Sequence, residues 1–173
     1  AAEDNTLQVA LVGCGGRGTG AANDALSVTG PPIKLVAMAD VSENRLNRSF
    51  ESLKASHADR VDVPEDRRFI GFDAHRHAMD SLKPGDIAIF TTPLAFRWVH
   101  FAYAIEKGLN VFMEKPLIAD GWSAKKMYQL AEESEKKNLK VGVGLMSRHS
   151  KPLQELHARV QEGENGDNIL MRA

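Results

Sequence analysis

Residues 9–18 of this 173-residue chain are VALVGCGGRG, an apolar run followed at once by glycines at positions 13, 15 and 18. The apolar run predicts a strand, and a helical pattern follows the last glycine. The pattern G-x-G-x-x-G is weak by itself, but here it joins a strand to a helix at the first turn of the chain. That context predicts a loop that binds the pyrophosphate of a dinucleotide. The alternative is a glycine-rich turn that binds no ligand.

The residues of this loop have separate predicted roles. Gly13 permits the tight turn, Gly15 lets a pyrophosphate approach the backbone, and Gly18 lets the helix pack closely on the sheet. The amides at the start of the helix, that of Gly16 included, are expected to bind the phosphates together with the positive end of the helix dipole. Arg17 is a further candidate for a phosphate contact.

An acidic residue ends the second predicted strand. Asp40 lies 22 residues after Gly18, close to the spacing at which an acid binds the ribose hydroxyls of a dinucleotide. Its charge would repel a 2′-phosphate, so NAD is favoured over NADP as the cofactor. Arg45 lies nearby and can weaken that preference. The alternative is that Asp40 caps the next helix, a role that Ser42 can also fill.

Short apolar runs alternate with helical patterns along the chain. Strands are predicted at residues 7–12, 33–39, 68–71, 87–91, 110–113 and 140–145. Helices are predicted at residues 19–27, 74–82, 96–107, 122–137 and 152–161. A further helix is predicted to begin after Ser42, which caps it. Continuous apolar strands are typical of a parallel sheet covered by helices on both faces. The predicted fold class is therefore α/β: a doubly wound parallel sheet in three α/β/α layers, the NAD(P)-binding Rossmann fold, over residues 1–167.

Two further motifs are predicted at the ends of strands, where doubly wound sheets bind ligands. The first is Thr91-Thr92-Pro93, whose three residues are expected to face the cofactor. Pro93 fixes the chain there and offers an apolar surface to a nicotinamide ring. Without its place in the sheet, this motif would be interpreted as an ordinary turn at the end of a strand.

The second motif is Glu114-Lys115-Pro116, at the end of the fifth predicted strand. A lysine beside a cofactor can donate a hydrogen bond to a substrate hydroxyl and stabilise the alkoxide that develops as hydride leaves. Lys115 is therefore the candidate catalytic residue. A lysine ordinarily stays protonated at neutral pH, so Lys115 by itself is a poor proton acceptor.

Composition excludes several classes of protein. Lys and Arg total 22 against 23 Asp and Glu, so the net charge is −1 and no nucleic-acid partner is expected. No apolar run approaches the roughly 20 residues of a membrane span. The single cysteine, Cys14, cannot form an internal disulfide and is interpreted as a small residue that fills the turn. No metal site is expected, because His75 and His77 would lie on different faces of their helix.

Cysteine content and the two ends of the chain bear on cellular location and on domain organisation. A cysteine-poor chain fits the reducing cytoplasm, which is the expected location. The start at Ala1 with the sequence AAED also fits export after removal of a signal peptide. Residues 168–173 have the composition of a strand with nothing after it to pair with. We expect them to begin a second domain that this sequence lacks.

The sequence resembles the glucose–fructose oxidoreductase/inositol dehydrogenase/rhizopine-catabolism (Gfo/Idh/MocA) family over nearly its whole length. The most diagnostic stretch is residues 104–117, AIEKGLNVFMEKPL. The other matching stretches are residues 9–18, Asp40 after its apolar strand, Thr92-Pro93, and residues 141–144 with Arg148.

The resemblance implies the N-terminal, cofactor-binding half of an oxidoreductase that acts with NAD on a sugar, cyclitol or derivative. It implies that Lys115 binds and polarises the substrate hydroxyl, and that Glu114 contacts or orders the cofactor. It also implies a homo-oligomer for the intact protein and a second domain whose histidine accepts the proton. We therefore expect this chain to fold without catalysing the reaction, because the general base is missing.

One departure from the family and three alternatives remain. The family usually has a histidine three residues after the Thr-Pro proline, but here His100 lies seven residues after Pro93, with Arg97 between them. The same scaffold also fits a glycosidase that uses bound NAD transiently, or a non-catalytic NAD-binding domain. A methyltransferase that uses S-adenosylmethionine shares the glycine loop and the acid, but the Glu-Lys-Pro motif argues against it.

Overall fold

A computed structural model describes residues 5–167 of the chain. The chain divides into two compact units, one up to Val143 and one from Gly144 onward. The first unit contains the sheet and is described first. In the described residues, no helix is both long enough and apolar enough to cross a membrane.

The first unit is built on one six-stranded sheet in the order β3-β2-β1-β4-β5-β6, and every neighbouring pair of strands is parallel. Chain order runs outward in both directions from β1, so the carboxyl ends of β1 and β4 flank a topological switch point. The strands are β1 (Leu7–Val12), β2 (Ile33–Asp40), β3 (Arg68–Ile70), β4 (Ile87–Phe90), β5 (Asn110–Met113) and β6 (Val141–Val143).

Helices follow the first five strands. They are α1 (Gly16–Leu26), α2 (Glu43–Ser56), α3 (Ala74–Asp80), α4 (Arg97–Glu106) and α5 (Gly121–Lys136), with short 3-10 turns at Glu65–Arg67 and Leu94–Phe96. The first helix was predicted to begin at residue 19, but it begins at Gly16, because the glycine loop itself forms its first turn. The sixth strand is shorter than the predicted 140–145.

The helices cover both faces of the sheet. Side chains alternate along β1, so Ala10 and Val12 join one core and Val9 and Leu11 join the other. The first core contains residues of α3, α4 and α5, and the second contains residues of α1 and α2. The predicted doubly wound, three-layer α/β/α fold is confirmed.

The sequence also marks where several of these helices begin and end. The Ser42 hydroxyl accepts a hydrogen bond from the amide of Arg45 and caps α2. Asp120 and Ser123 form a capping box at the start of α5. Gly108 follows α4 with φ of +70°, the left-handed conformation predicted for it.

The second unit contains two helices in its described residues, α6 (Met146–His149) and α7 (Lys151–Gln161). The second of them matches the helix predicted at 152–161. Neither helix has a buried residue. The strand predicted at 168–173 lies outside the described residues, and the predicted domain boundary at 167 stays a prediction.

Candidate functional site

A groove of about 480 Å³ opens at the carboxyl ends of strands β1 to β5. This is where open α/β sheets bind their ligands. Some of the predicted site residues line it: Gly13, Gly15, Asp40, Thr91, Thr92, Pro93 and Lys115. The other predicted site residues lie outside its lining: Gly16, Arg17, Gly18 and Glu114. The structure therefore brings residues from four separate stretches of sequence to one concave surface.

The glycine loop has the geometry that its predicted roles require. Gly13 has φ of +96°, and a Cβ there would lie 2.9 Å from Thr91 Oγ1. A Cβ on Gly18 would overlap the carbonyl oxygen of Gly13, so α1 contacts the turn backbone to backbone. Around Gly15, in contrast, no atom lies within 4 Å of the position of a Cβ. The loop is thus closed toward the sheet and open toward the groove.

Hydrogen bonds fix the loop against the neighbouring strands. The Gly13 amide donates to Ala39 O at 2.8 Å, and the Thr91 hydroxyl donates to Gly13 O at 2.6 Å. Gly15 precedes α1 without a side chain to cap it, and the first turn of α1 holds no acidic residue. The positive end of the helix dipole therefore has no negative side chain beside it in its first turn, as an anion-binding site requires.

Asp40 connects the second strand to the loop. Its Oδ2 accepts a hydrogen bond from the Cys14 amide at 2.6 Å, and its Oδ1 accepts one from the Ser42 amide at 2.8 Å. Ser42, and not Asp40, caps α2. A carboxylate has about four acceptor positions, so Asp40 keeps capacity for hydroxyl donors in the groove. Arg45 also lines this groove.

Cys14 is a buried thiol, only 2% exposed, whose Sγ lies 3.4 Å from Ala39 O. Burial and the neighbouring Asp40 carboxylate raise its pKa well above the ordinary value. A position near the start of a helix favours a thiolate in general, but burial dominates here. The interpretation of Cys14 as a residue that fills the turn is confirmed.

Lys115 is exposed at the edge of the groove, and its peptide bond to Pro116 is cis. In the described part of the chain, nothing forms a hydrogen bond or an ion pair with the Lys115 ammonium group. Thr92 lies further inside, and its hydroxyl forms a hydrogen bond with His100 Nδ1 at 3.1 Å. Lys115 is thus a cation of the groove that is available to a ligand, while the Thr92 hydroxyl is occupied within the protein.

Glu114 and Arg17 are paired with each other. The Glu114 carboxylate is buried, and its Oε1 lies 2.9 Å from Arg17 Nε. The other end of the Arg17 guanidinium is 3.7 Å from Asp24. Neither residue lines the groove, so their predicted contacts to a cofactor stay predictions.

Sequence reasoning missed Arg97, which is 2% exposed at the start of α4. Its guanidinium donates to two main-chain carbonyl oxygens, that of Thr92 at 2.7 Å and that of Glu114. These carbonyls belong to the segments that follow β4 and β5. Burial lowers the pKa of Arg97, and the Glu114 carboxylate opposes that shift. Arg97 thus joins the ends of two strands at the point where they form the groove.

His100 lies one helical turn further along α4 and also lines the groove. Its ring packs against His75, with 4.4 Å between the ring centroids and 40° between the ring planes, and lies nearly parallel to the ring of Phe96. Burial, with smaller contributions from His75 and Arg97, lowers the pKa of His100 to about 3. The ring is therefore uncharged at neutral pH. The side chain of His75 is buried and that of His77 is exposed, which agrees with their predicted separation.

A parallel sheet of order 3-2-1-4-5-6, a glycine loop that opens a helix, and an acid at the end of β2 together define a dinucleotide-binding Rossmann domain. Comparison with known families narrows this class. Residues 7–144, which are 138 of the 173, match the model of the GFO_IDH_MocA family, described as "Oxidoreductase family, NAD-binding Rossmann fold". The chain belongs to this family.

Individual relatives have low sequence identity to this chain. Inositol 2-dehydrogenase from Corynebacterium glutamicum strain R is 29% identical over 87 residues, which are 50% of this chain and 25% of that protein. The structure of myo-inositol 2-dehydrogenase from Lactobacillus plantarum superposes with a TM-score of 0.71 at 24% identity, covering 92% of this chain and 42% of that one.

Two further structures hold cofactors. Scyllo-inositol dehydrogenase from Lactobacillus casei, solved with NAD(H) and scyllo-inositol, has a TM-score of 0.67 at 24% identity over 94% of this chain and 43% of its own. A 3-ketoreductase from Actinomadura kijaniata, solved with NADP and TDP-benzene, has a TM-score of 0.65 at 17% identity, covering 92% of this chain and 43% of that one. This chain spans less than half the length of each of these proteins. The likeness to them shows the fold.

Proposed function

We propose that this chain binds NAD in the groove and forms the cofactor-binding half of an oxidoreductase that acts on a polyol or sugar. The observation that carries the proposal is the bond between Asp40 and the glycine loop, at the Cys14 amide. That bond puts a carboxylate suited to ribose hydroxyls beside a loop suited to phosphates. Lys115 lies at the edge of the same groove.

The residues of the groove fit a dinucleotide part by part. The open backbone at Gly15 and the uncapped start of α1 suit a pyrophosphate, which is anionic and needs amide donors. Asp40 suits the adenosine ribose, and Pro93 offers the apolar surface that a nicotinamide ring requires. NAD, when bound, would supply the hydride acceptor of the reaction.

Lys115 would act on the substrate. Its ammonium group has no partner in the described part of the chain, so it is free to donate a hydrogen bond to a substrate hydroxyl. A cation there stabilises the negative charge that develops on that oxygen when a base removes its proton. The proton acceptor is proposed to lie in a further domain, as the resemblance implies. The inositol dehydrogenases among the relatives support a polyol as the substrate class.

The role of Asp40 predicts the choice of cofactor. Asp40→Asn should weaken NAD binding about tenfold, because charge-assisted hydrogen bonds to the ribose are lost. NADP binding should weaken less or improve, because the charge that repels the 2′-phosphate is gone. Calorimetric titration of both variants with both cofactors measures the two ratios. Asp59→Asn is the matched control, since Asp59 is exposed and does not line the groove.

The wild-type chain should bind NAD more tightly than NADP. If it binds NADP equally well or more tightly, the role given to Asp40 is wrong. If Asp59→Asn changes the cofactor ratio as much as Asp40→Asn does, the effect is one of net charge and not of the site.

A further inference from the structure

Arg97 carries a buried charge that the proposed reaction does not use. Its side chain lines the groove and is 2% exposed, yet both of its hydrogen bonds go to neutral carbonyl oxygens. Its Nε has no hydrogen-bond partner. Within the described residues, no carboxylate forms an ion pair with Arg97. An arginine stays protonated even when buried, so the charge is fixed.

The surrounding charges do not cancel. Glu114 is the carboxylate whose charge acts on Arg97, but Arg17 forms an ion pair with it at 2.9 Å. Arg17 is about half exposed and also lies 3.7 Å from Asp24, whereas Arg97 is buried and forms no ion pair of its own. The positive charge of Arg97 is therefore only partly offset, which leaves an excess of positive charge there. Lys115, which follows Glu114 in the chain, adds a second cation at the edge of the groove. Charges interact more strongly away from bulk water, so this excess acts on whatever occupies that end of the groove.

We propose that Arg97 determines which redox form of the cofactor the groove prefers, and that it favours NADH over NAD. This inference rests on the proposed function, because it places the nicotinamide near Pro93 and Lys115. The oxidised nicotinamide ring is a cation and the reduced ring is neutral. A fixed positive charge beside the ring destabilises only the oxidised form. The same residue thus makes reduction of the bound cofactor more favourable.

Arg97 also has a structural role, and the two roles are separable. Its hydrogen bonds to Thr92 and Glu114 join the ends of β4 and β5. Loss of that contact would weaken both redox forms alike, since it changes the shape of the groove. Loss of the charge changes the ratio of the two dissociation constants. The ratio is therefore the measurement that isolates the electrostatic role.

The test is to titrate this chain with NADH by fluorescence and with NAD by calorimetry, using wild type, Arg97→Met and Arg97→Lys. In wild type, the dissociation constant of NAD should exceed that of NADH. Arg97→Met should lower this ratio about tenfold, while Arg97→Lys, which keeps the charge, should retain most of it. Arg76→Met is the control, because Arg76 is exposed and outside the groove. A ratio in Arg97→Met equal to that of wild type overturns the inference.

Glu114→Gln provides an independent test if Arg97→Met does not fold. It keeps the shape of the side chain and removes the one carboxylate that offsets Arg97, so the preference for NADH should increase several-fold. An unchanged or decreased preference contradicts the inference. Failure of wild type to bind either redox form would instead contradict the proposed function itself.

Discussion

Gly18→Ala is expected to lower the free energy of unfolding by about 3 kcal/mol and to weaken NAD binding. The new Cβ would overlap Gly13 O and would come within 2.6 Å of Thr91 Oγ1. Rotation of a side chain cannot relieve the overlap with Gly13 O, because that atom belongs to the backbone, so α1 must move away from the turn. Overpacking a closely packed site costs about 1–3 kcal/mol, and a clash with backbone lies at the upper end of that range. The movement would also displace the amides at the start of α1.

Gly20→Ala is the matched control, two residues further along the same helix. A Cβ there meets Arg17 Nη1 at 3.7 Å, an ordinary contact. Alanine is the better helix former by roughly 0.5–1 kcal/mol, so this variant should be as stable as wild type or more stable. Chemical denaturation of the three proteins gives the comparison. Equal stability of the two variants would show that the close contact at Gly18 does not matter.

Lys115→Ala is expected to reduce kcat of the intact protein by about 10²–10³-fold. That is the range lost when one preorganised donor to a developing oxyanion is removed. The dissociation constant of NAD should change less than about twofold, because Lys115 is proposed to contact the substrate. The assay follows net formation of NADH with a panel of inositols and sugars.

Lys125→Ala is the control, because Lys125 is an exposed lysine of α5 that does not line the groove. It should turn over at the wild-type rate. Normal turnover by Lys115→Ala would remove that residue from the mechanism. Cleavage of a glycoside without net NADH would instead support the glycosidase that shares this scaffold.

Local sequence was sufficient for the fold and for much of the groove. The spacing of Gly13, Gly15 and Gly18 between a strand and a helix specified the turn, because Gly13 adopts a positive φ and Gly18 leaves no room for a Cβ. Asp40 was found by its distance from the loop. Parallel strands place their carboxyl ends at one edge, so Thr92 and Lys115 were expected in one groove, and both line it.

The charges inside the site were not predictable in this way. An arginine at the first position of a helix is ordinarily solvated, and nothing local indicates that Arg97 is buried. Its partners are carbonyl oxygens 5 and 17 residues away, brought together only by the pairing of β4 with β5. The pair between Arg17 and Glu114 likewise joins residues distant in sequence. Tertiary contacts of this kind leave no periodic pattern in the sequence.

We expect the groove at the ends of β1, β2 and β4 to bind NAD, and amide NMR of this 19.0 kDa chain during a titration with NAD locates the binding residues. The amide signals should move in one saturable set, with the largest shifts at residues 13–19, at Asp40 and at residues 91–92. Absence of saturable binding would contradict the assignment of this groove to NAD. So would shifts confined to the second pocket, which α1 and α2 line together, at Asn23, Arg48 and Ser52.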